Sequence, residues 1–451
     1  MNKDFSVKIK KKVKKFNKVI STIPGCKSTS FRALIFSSQS IGTSNLKGVL
    51  EGDDIKSCIQ SLKDLGVKIV RKKYGEYKVW GNGENSYNQP KKKQLYFGNA
   101  GTLGILLGFL ATSSNINVRV YGDKSLNSRN MKKFIEPLSK IGCIFRPKNK
   151  KNFPLTIQGT DYGLAQRHIL NSGSAQEKAC ILNAAKNLPG ITTIEEHKPF
   201  SRNHSELMLR SIGADIKIRK KKKYNLISLR GQQNLKSFSM EIPGDSSSAA
   251  FFVAICLMTK GSKIKLKKIN LNKFRIGYIR CLKSMGANIK LINIKKKFGE
   301  SVGDIIVKNS KLRPINFPKK EVISTIDELP IMMTIASQIK GISTFKNIGV
   351  IRGKESDRIK KMSENLNAFG IKTKVKKNSI KIYGSSANLH IGNKQVKIKS
   401  SLDHRIQMCS IILAATTSAN VVIKGCSTIK TSFPNFFLLL KKIGAKYEIQ
   451  K

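Results

Sequence analysis

One short phrase occurs six times along this chain: an apolar residue, two variable positions, an apolar residue, a glycine, and then a strand-like alternation. The copies are Leu62 to Ile69 (LKDLGVKI), Leu138 to Phe145 (LSKIGCIF), Leu209 to Ile216 (LRSIGADI), Leu282 to Ile289 (LKSMGANI), Leu366 to Thr373 (LNAFGIKT) and Leu440 to Tyr447 (LKKIGAKY). Their glycines, Gly66, Gly142, Gly213, Gly286, Gly370 and Gly444, lie 71 to 84 residues apart, so the 451-residue chain divides into six units of similar length. The apolar pair at i and i+3 shares one helical face, and glycine can take the left-handed conformation that closes a last helical turn. Alternating residues such as Ala287-Asn288-Ile289-Lys290-Leu291 then read as a half-buried strand. The period exceeds the roughly 20 to 50 residues of solenoid repeats. Each unit is therefore expected to be a compact βα module, and the whole an α/β protein.

Two similar turns, Ile23-Pro24-Gly25 and Ile242-Pro243-Gly244, bracket the first three copies. Proline and glycine together turn a chain sharply, so these are read as the crossings between two domains. One domain is expected to comprise residues 23–242, and the other residues 1–22 with 243–451, three repeats apiece. Clefts between domains are favoured ligand sites, which places the expected chemistry near the crossings.

Composition narrows the class. The longest apolar runs, Leu103 to Ala111 and Ala249 to Met258, fall short of the roughly 18 to 20 residues a membrane helix needs, so no membrane association is expected. Eight cysteines without CxxC spacing sit mostly in apolar contexts, where a free thiol behaves as a small hydrophobe; a reducing cytoplasm is expected. The first 18 residues are basic, but no long apolar segment follows and a core motif begins at Pro24, so no cleaved leader is expected. The net charge of +58 invites a nucleic-acid reading. Yet the lysines are spread through all six units in short runs (Lys10 to Lys12, Lys91 to Lys93, Lys220 to Lys223, Lys295 to Lys297) among abundant Asn and Ile, as an AT-rich genome would impose on tolerant surfaces. A basic RNA-binding protein remains a rival reading, but it calls for aromatics interleaved with the lysines, and these runs hold few. An anionic small substrate would also benefit from such a field.

Cations, donors and carboxylates gather in short motifs. After the first crossing, Pro24-Gly25-Cys26-Lys27-Ser28-Thr29-Ser30-Phe31-Arg32 puts backbone donors, a hydroxyl and two cations near a helix start, the makings of an anion site or of a capped helix with exposed cations. Gly98-Asn99-Ala100-Gly101-Thr102 is a small-residue loop that lets a charged ligand approach the backbone. Arg129 lies in a polar stretch, Ser174-Ala175-Gln176 opens a helix carrying Lys178, and Arg202 falls in Ser201-Arg202-Asn203-His204. Downstream, Ile326-Asp327-Glu328-Leu329-Pro330 sets carboxylates beside an apolar helix, Lys354-Glu355-Ser356-Asp357-Arg358 gathers both signs of charge, and Asp403-His404-Arg405 adds a cation.

In collinear order from about Ile23 to Pro434, PGxKS, GNAGT, SAQ, IDELP, KESDR and DHR resemble the 5-enolpyruvylshikimate-3-phosphate synthase family, and the SAQxK and SRxH forms are similar to its class II subgroup. Lys-Ser after the first Pro-Gly, where the related UDP-N-acetylglucosamine enolpyruvyl transferases have Lys-Asn, favours the shikimate enzyme over that second rival. The resemblance implies a two-domain enolpyruvyl transferase fold with six βαβαββ repeats in two pseudo-threefold domains that close on the substrates. It implies transfer of the enolpyruvyl group of phosphoenolpyruvate to the 5-hydroxyl of shikimate 3-phosphate, with release of phosphate, on the way to chorismate and the aromatic amino acids. It implies no cofactor and no metal; no specific nucleic acid partner is expected, and the chain is expected to be a monomer.

Carried over by motif, Lys27, Ser28, Arg32, Ser174, Gln176, Arg202, Asp327 and Lys354 would hold shikimate 3-phosphate, and Lys27, Asn99, Gly101, Arg129, Gln176, Arg358 and Arg405 would surround phosphoenolpyruvate. Asp327 would be the base near the hydroxyl, Glu355 the acid and base at the methylene, and Lys27 the donor to the departing phosphate, while His404 is structural. The family's inhibitor glyphosate occupies the phosphoenolpyruvate site, and insensitive class II members carry alanine where this chain has Gly101. Three positions depart from the pattern: Ile105 replaces a usual arginine, Asn130 a usual proline, and Lys430 precedes Thr431-Ser432-Phe433-Pro434 with one extra residue.

Overall fold

At all six repeat glycines the backbone is left-handed, with φ between +74° and +99°. Each closes its helix in the same way. The Gly66 N–H donates to the Lys63 carbonyl at 2.9 Å and the Val67 N–H to the Leu62 carbonyl at 3.0 Å, and the equivalent pairs at the other five are within 3.2 Å. This double closure satisfies carbonyls that a helix end otherwise leaves open, and only glycine takes the conformation without a Cβ clash. A strand follows each time: Lys68–Lys73, Ile144–Arg146, Ile216–Lys220, Asn288–Lys297, Thr373–Lys376 and Tyr447–Gln450.

The computed structural model describes residues 4–84, 86–148, 150–385, 395–398, 403–417 and 420–450. Among these the strands form six four-stranded sheets. In one of them Gln94–Tyr96 runs parallel to Asn117–Tyr121, joined through the helix Gly104–Leu110; the helix Lys132–Lys140 then leads into the hairpin of Ile144–Arg146 and Leu155–Gln158, which completes the sheet by antiparallel pairing. The order β-α-β-α-β-β is one repeat. A parallel pair at one edge with an antiparallel partner beside it recurs in the other five sheets.

The chain forms two units. The first holds residues 1–24, 243–295 and 301–451; the second holds residues 25–242 with the hairpin tip 296–300. In the first unit, Ser6–Ile9 lies between Val421–Ile423 and Tyr447–Gln450, and Asn17–Ile20 runs parallel to Lys263–Asn270. In the second, Ser239–Glu241 returns beside Ile41–Lys47 and completes the sheet nearest the start of that unit.

Each unit has its own core built on helices buried almost all round. In the second unit these are Lys27–Ser38, Gly104–Leu110 and Ala175–Ala185; in the first, Ser246–Met258, Leu329–Ser337 and His404–Thr416. Helices without a polar face belong inside a domain. Most of them begin at or beside a motif singled out above, so the most deeply anchored elements carry the candidate chemistry. All eight cysteines are buried thiols, and burial pushes those of Cys143, Cys256 and Cys426 up to about 12.

A second glycine signature accompanies the hairpins. A Cβ on Gly81, Gly159, Gly231 or Gly384 would collide with carbonyl oxygens at the end of a core helix, those of Ser40, Ser113, Leu188 and Ile339 respectively. At the corresponding place after Glu300–Lys308 stands Asn309, whose Nδ2 instead donates to the Leu257 carbonyl at 2.5 Å.

These two glycine classes should behave differently. No atom lies within 4 Å of a Cβ built on Gly213, so Gly213→Ala meets only the backbone preference, about 1 kcal/mol. Gly231→Ala drives a methyl into the Leu188 carbonyl and should destabilise by clearly more. Urea unfolding of the two variants against wild type measures the difference.

Candidate active site

In the second unit, Lys27 is the first residue of the helix Lys27–Ser38, and its Nζ pairs with the Asp54 carboxylate. One turn on, the Arg32 guanidinium is 2% exposed. Its Nε donates to Ser205 Oγ at 2.7 Å and its Nη1 to the Ser28 carbonyl at 3.0 Å. A buried guanidinium held on two sides is a fixed positive charge with its remaining donors directed by the scaffold.

The small-residue loop lies against Arg129. The Arg129 guanidinium donates to the Asn99 side-chain oxygen, to the Asn99 carbonyl at 3.4 Å and to Ser125 Oγ at 3.1 Å. Asn99 Nδ2 donates to Asp123 at 2.8 Å, fixing the amide's orientation. Gly101 opens a short 3-10 turn, and a Cβ there would stand 3.1 Å from Arg129 Nη1. Asn99, Gly101 and Arg129 are thus one cluster.

Ser174 caps the helix Ala175–Ala185 by accepting from the Glu177 N–H at 3.3 Å, and Gln176 is half-buried in its first turn. Two residues further, Lys178 is buried and pairs with Glu196 at 2.8 Å and Glu206 at 2.6 Å. Burial works against its charge, but Glu206 and Glu196 outweigh burial and raise its pKa. Glu196 also accepts from the Ser201 N–H at 3.0 Å and Oγ at 2.6 Å, immediately before the buried Arg202. His204, the first residue of the helix His204–Ser211, pairs through Nδ1 with Glu300 of the hairpin tip.

In the first unit the motifs converge on Arg358, which is 1% exposed. Its Nε donates to Asp403 Oδ2 at 2.9 Å and its Nη2 to Glu355 Oε2 at 2.5 Å; Nη1 stands 3.9 Å from Asp327 Oδ1. Arg405 Nη2 lies 3.9 Å from the other Asp327 oxygen. Three carboxylates share this cluster, and burial separates them. The Asp403 side chain is 0% exposed, accepts from Ser356 Oγ at 2.9 Å and caps the helix His404–Thr416 through the Arg405 N–H at 3.0 Å. Burial opposes its charge, yet the Arg358 guanidinium prevails and holds the carboxyl below its usual 3.8. Asp327 and Glu355 keep 19% and 22% of their side-chain surface open, so these two can reach a ligand and exchange a proton. Lys354 is half-buried beside them in the chain, and His404 is buried.

Asp54, Glu196, Ser205, Glu206 and Asp403 hold the candidate residues in place, and none had been assigned a role from sequence. An aspartate before an apolar helix is a capping signal, and Asp403 carries it; Asp54, in the first turn of the helix Asp53–Asp64, carries no signal beyond that of an acid near a helix start. The departures from the family pattern are also accommodated. Ile105 is fully buried and its carbonyl accepts from Asn183 Nδ2 at 3.0 Å; exposed Asn130 accepts from the Lys132 N–H at 2.9 Å; and exposed Lys430 lies over the Phe5 ring at 5.8 Å. Among the described residues no cluster of three or more His, Cys, Asp or Glu could hold a metal ion, and no helix is long and apolar enough to cross a membrane.

Comparison with known proteins gives a consistent result. The model of the family described as EPSP synthase (3-phosphoshikimate 1-carboxyvinyltransferase) matches residues 10–440. A 3-phosphoshikimate 1-carboxyvinyltransferase from Zymomonas mobilis is 37% identical over 428 residues, covering 95% of this chain and 94% of the relative. Among solved structures, an EPSP synthase from Acinetobacter baumannii superposes with a TM-score of 0.87 at 32% identity, covering 99% of this chain and 100% of that one. The enolpyruvyl transferase NikO from Streptomyces tendae shares the fold, with a TM-score of 0.76 at 11% identity over 99% of each chain.

The Arg358–Asp403 pair sets an acid limit on stability. Because the folded pKa of Asp403 lies below the unfolded value, its ionised form stabilises the fold above that value, and the contribution is lost as pH falls through the folded pKa. Asp403→Asn should cost about 3 kcal/mol at neutral pH by leaving a buried guanidinium short of its partner. The variant should also lose less stability than wild type on going from neutral pH to pH about 3. Chemical unfolding of both proteins across that range measures the two effects.

Proposed function

The chain belongs to the EPSP synthase family, and from that premise we propose how its side chains divide the work of the reaction. The enzyme has the two-domain α/β enolpyruvyl transferase fold of six βαβαββ repeats. It transfers the enolpyruvyl group of phosphoenolpyruvate to the 5-hydroxyl of shikimate 3-phosphate and releases phosphate, a step of aromatic amino-acid biosynthesis. The sugar-nucleotide and RNA-binding readings gain no support from the relatives.

The observation that carries the assignment of roles is the Arg358 cluster: a fixed, buried guanidinium flanked by two partly open carboxylates and a second arginine. Addition requires a proton on the methylene carbon of phosphoenolpyruvate, which makes the neighbouring carbon electrophilic, and loss of the proton from the attacking hydroxyl. Glu355 delivers the first and Asp327 receives the second; elimination then removes a methyl proton as phosphate leaves, with the two carboxylates able to exchange duties between steps. Arg358, Arg405 and Arg129 with Asn99, Gly101 and Gln176 bind the carboxylate and phosphate of phosphoenolpyruvate, and Lys27 stabilises charge growing on the departing phosphate. The Asp54 carboxylate pairs with Lys27 Nζ and restricts the directions in which the ammonium can point. Ser28, Arg32, Ser174, Gln176, Arg202 and Lys354 hold shikimate 3-phosphate, with Lys27 and Asp327 completing that set. No cofactor enters this scheme. We take the enzyme to act as a cytoplasmic monomer on these two small anions, free of nucleic acid and membrane; the eight buried free thiols suit a reducing compartment.

The direct test is phosphate release that requires both substrates and stops when UDP-N-acetylglucosamine replaces shikimate 3-phosphate. Glu355→Gln and Asp327→Asn should keep substrate binding and lose turnover by about a hundred- to ten-thousandfold, the usual range for a proton-transfer group. Near-normal turnover in both variants removes the proposed roles. Glyphosate should compete with phosphoenolpyruvate in the wild type, and Gly101→Ala should weaken that inhibition, because its methyl must displace Arg129 Nη1 from 3.1 Å. Equal inhibition constants for the two proteins would show that Gly101 does not control access.

A further inference from the structure

We propose that Lys178 is the positioning residue for the shikimate 3-phosphate contacts of the second unit. It would lock the Ser174–Gln176 helix, the Arg202 loop and the Ser205–Arg32 contact into one arrangement through Glu196 and Glu206. The proposal rests on the division of roles given above and deepens it.

Lys178 lies in the first turn of the helix that starts at Ser174. Its ammonium takes one carboxylate from each of two other elements: Glu196, near the end of the strand Ile191–His197, and Glu206, in the helix His204–Ser211. Each carboxylate is linked onward to a substrate contact. Glu196 gathers the Ser201 N–H and Oγ, which fixes the backbone entering Arg202. Glu206 follows Ser205, whose Oγ receives Arg32 Nε at 2.7 Å, and Arg32 in turn reaches the Ser28 carbonyl. Ser28, Arg32, Ser174, Gln176 and Arg202 therefore depend on one ammonium group that is itself too deep to touch a substrate, at 1% exposure.

A packing role alone does not call for this chemistry. A buried lysine and two carboxylates are expensive to desolvate, and apolar residues of similar size would usually stabilise as well or better. Glu206 leans on Lys178 in particular: Oε1 makes the 2.6 Å contact, while Oε2 has no hydrogen-bond partner among the described residues. What the ionic cluster adds over an apolar plug is direction, since an ammonium constrains its acceptors far more narrowly than methyl groups would.

Lys178→Met alone leaves two unpaired buried carboxylates and tests folding as much as positioning. The informative protein is Lys178→Met combined with Glu196→Gln and Glu206→Gln, which removes all three charges at nearly constant volume. We expect it to fold and to show a KM for shikimate 3-phosphate raised about tenfold or more, in line with the loss of other supporting contacts behind a binding site, with a clearly smaller rise in KM for phosphoenolpyruvate, which Gln176 alone among these residues would also contact. Ser201→Ala, which deletes only the hydroxyl bond to Glu196, should raise KM for shikimate 3-phosphate by about fivefold, the equivalent of one hydrogen bond. An unchanged shikimate 3-phosphate KM in the folded triple variant, or equal increases in both KM values, overturns the proposal. If the triple variant fails to fold, Ser201→Ala decides by the same criterion. Absence of turnover in the wild type would instead refute the functional reading, so the two failures are distinguishable.

Discussion

A helix that ends in a left-handed glycine and hands the chain to a strand is the joint on which every repeat turns. Without the double closure at Gly66 and its five counterparts, the last carbonyls of each outer helix would be left open and the following strand would leave at another angle. Because the joint is local, it can be repeated; because it fixes the exit direction, each repeat offers its hairpin to the same parallel pair. The core helices are then enclosed by their own sheets and can be apolar on all faces, which frees their first turns to carry charge.

Charge is used in two regimes. The chain has 85 lysines and arginines against 27 acids, and most of the excess cations stand on exposed strands and turns, where screening makes each of little consequence. Inside, the ratio reverses. Arg358 meets three carboxylates, Lys178 two, and Arg275 lies 3.1 Å from Asp245, the cap of the helix Ser246–Met258. The scarce acids are concentrated where a cation must be aimed, and a guanidinium held by a carboxylate at one end has fewer ways to point at the other.

Much of this was legible beforehand, for physical reasons that can be traced residue by residue. The repeat glycines are visible because a local conformation forces a residue type, and Asp327, Glu355 and Arg358, which the fold brings together, stand out as charged residues in short motifs beside helix starts. The hairpin glycines were not visible: Gly81 and Gly231 are required by helix carbonyls distant in the chain, and Asn309 meets the same need with a side chain. Glu196 and Glu206 were hidden for a similar reason, since a buried acid looks like a surface acid until the lysine it faces is known. Ile105 went the other way. The missing arginine was obvious in sequence, but only the fold shows that the position is filled by core packing.

The hairpin Asn288–Lys297 and Glu300–Lys308 grows from a sheet of the first unit, yet its tip, residues 296–300, is grouped with the second and brings Glu300 to the buried His204. The two Ile-Pro-Gly turns look like natural scissor points, but a fragment excised there would leave part of its own interior behind on the discarded piece. The second unit is thus assembled from two separate stretches of the chain. Dissection into separately expressed halves would have to graft that tip onto the excised lobe, and chimaeras exchanging residues 25–242 between relatives inherit a dependence on a carboxylate encoded well outside the exchanged segment.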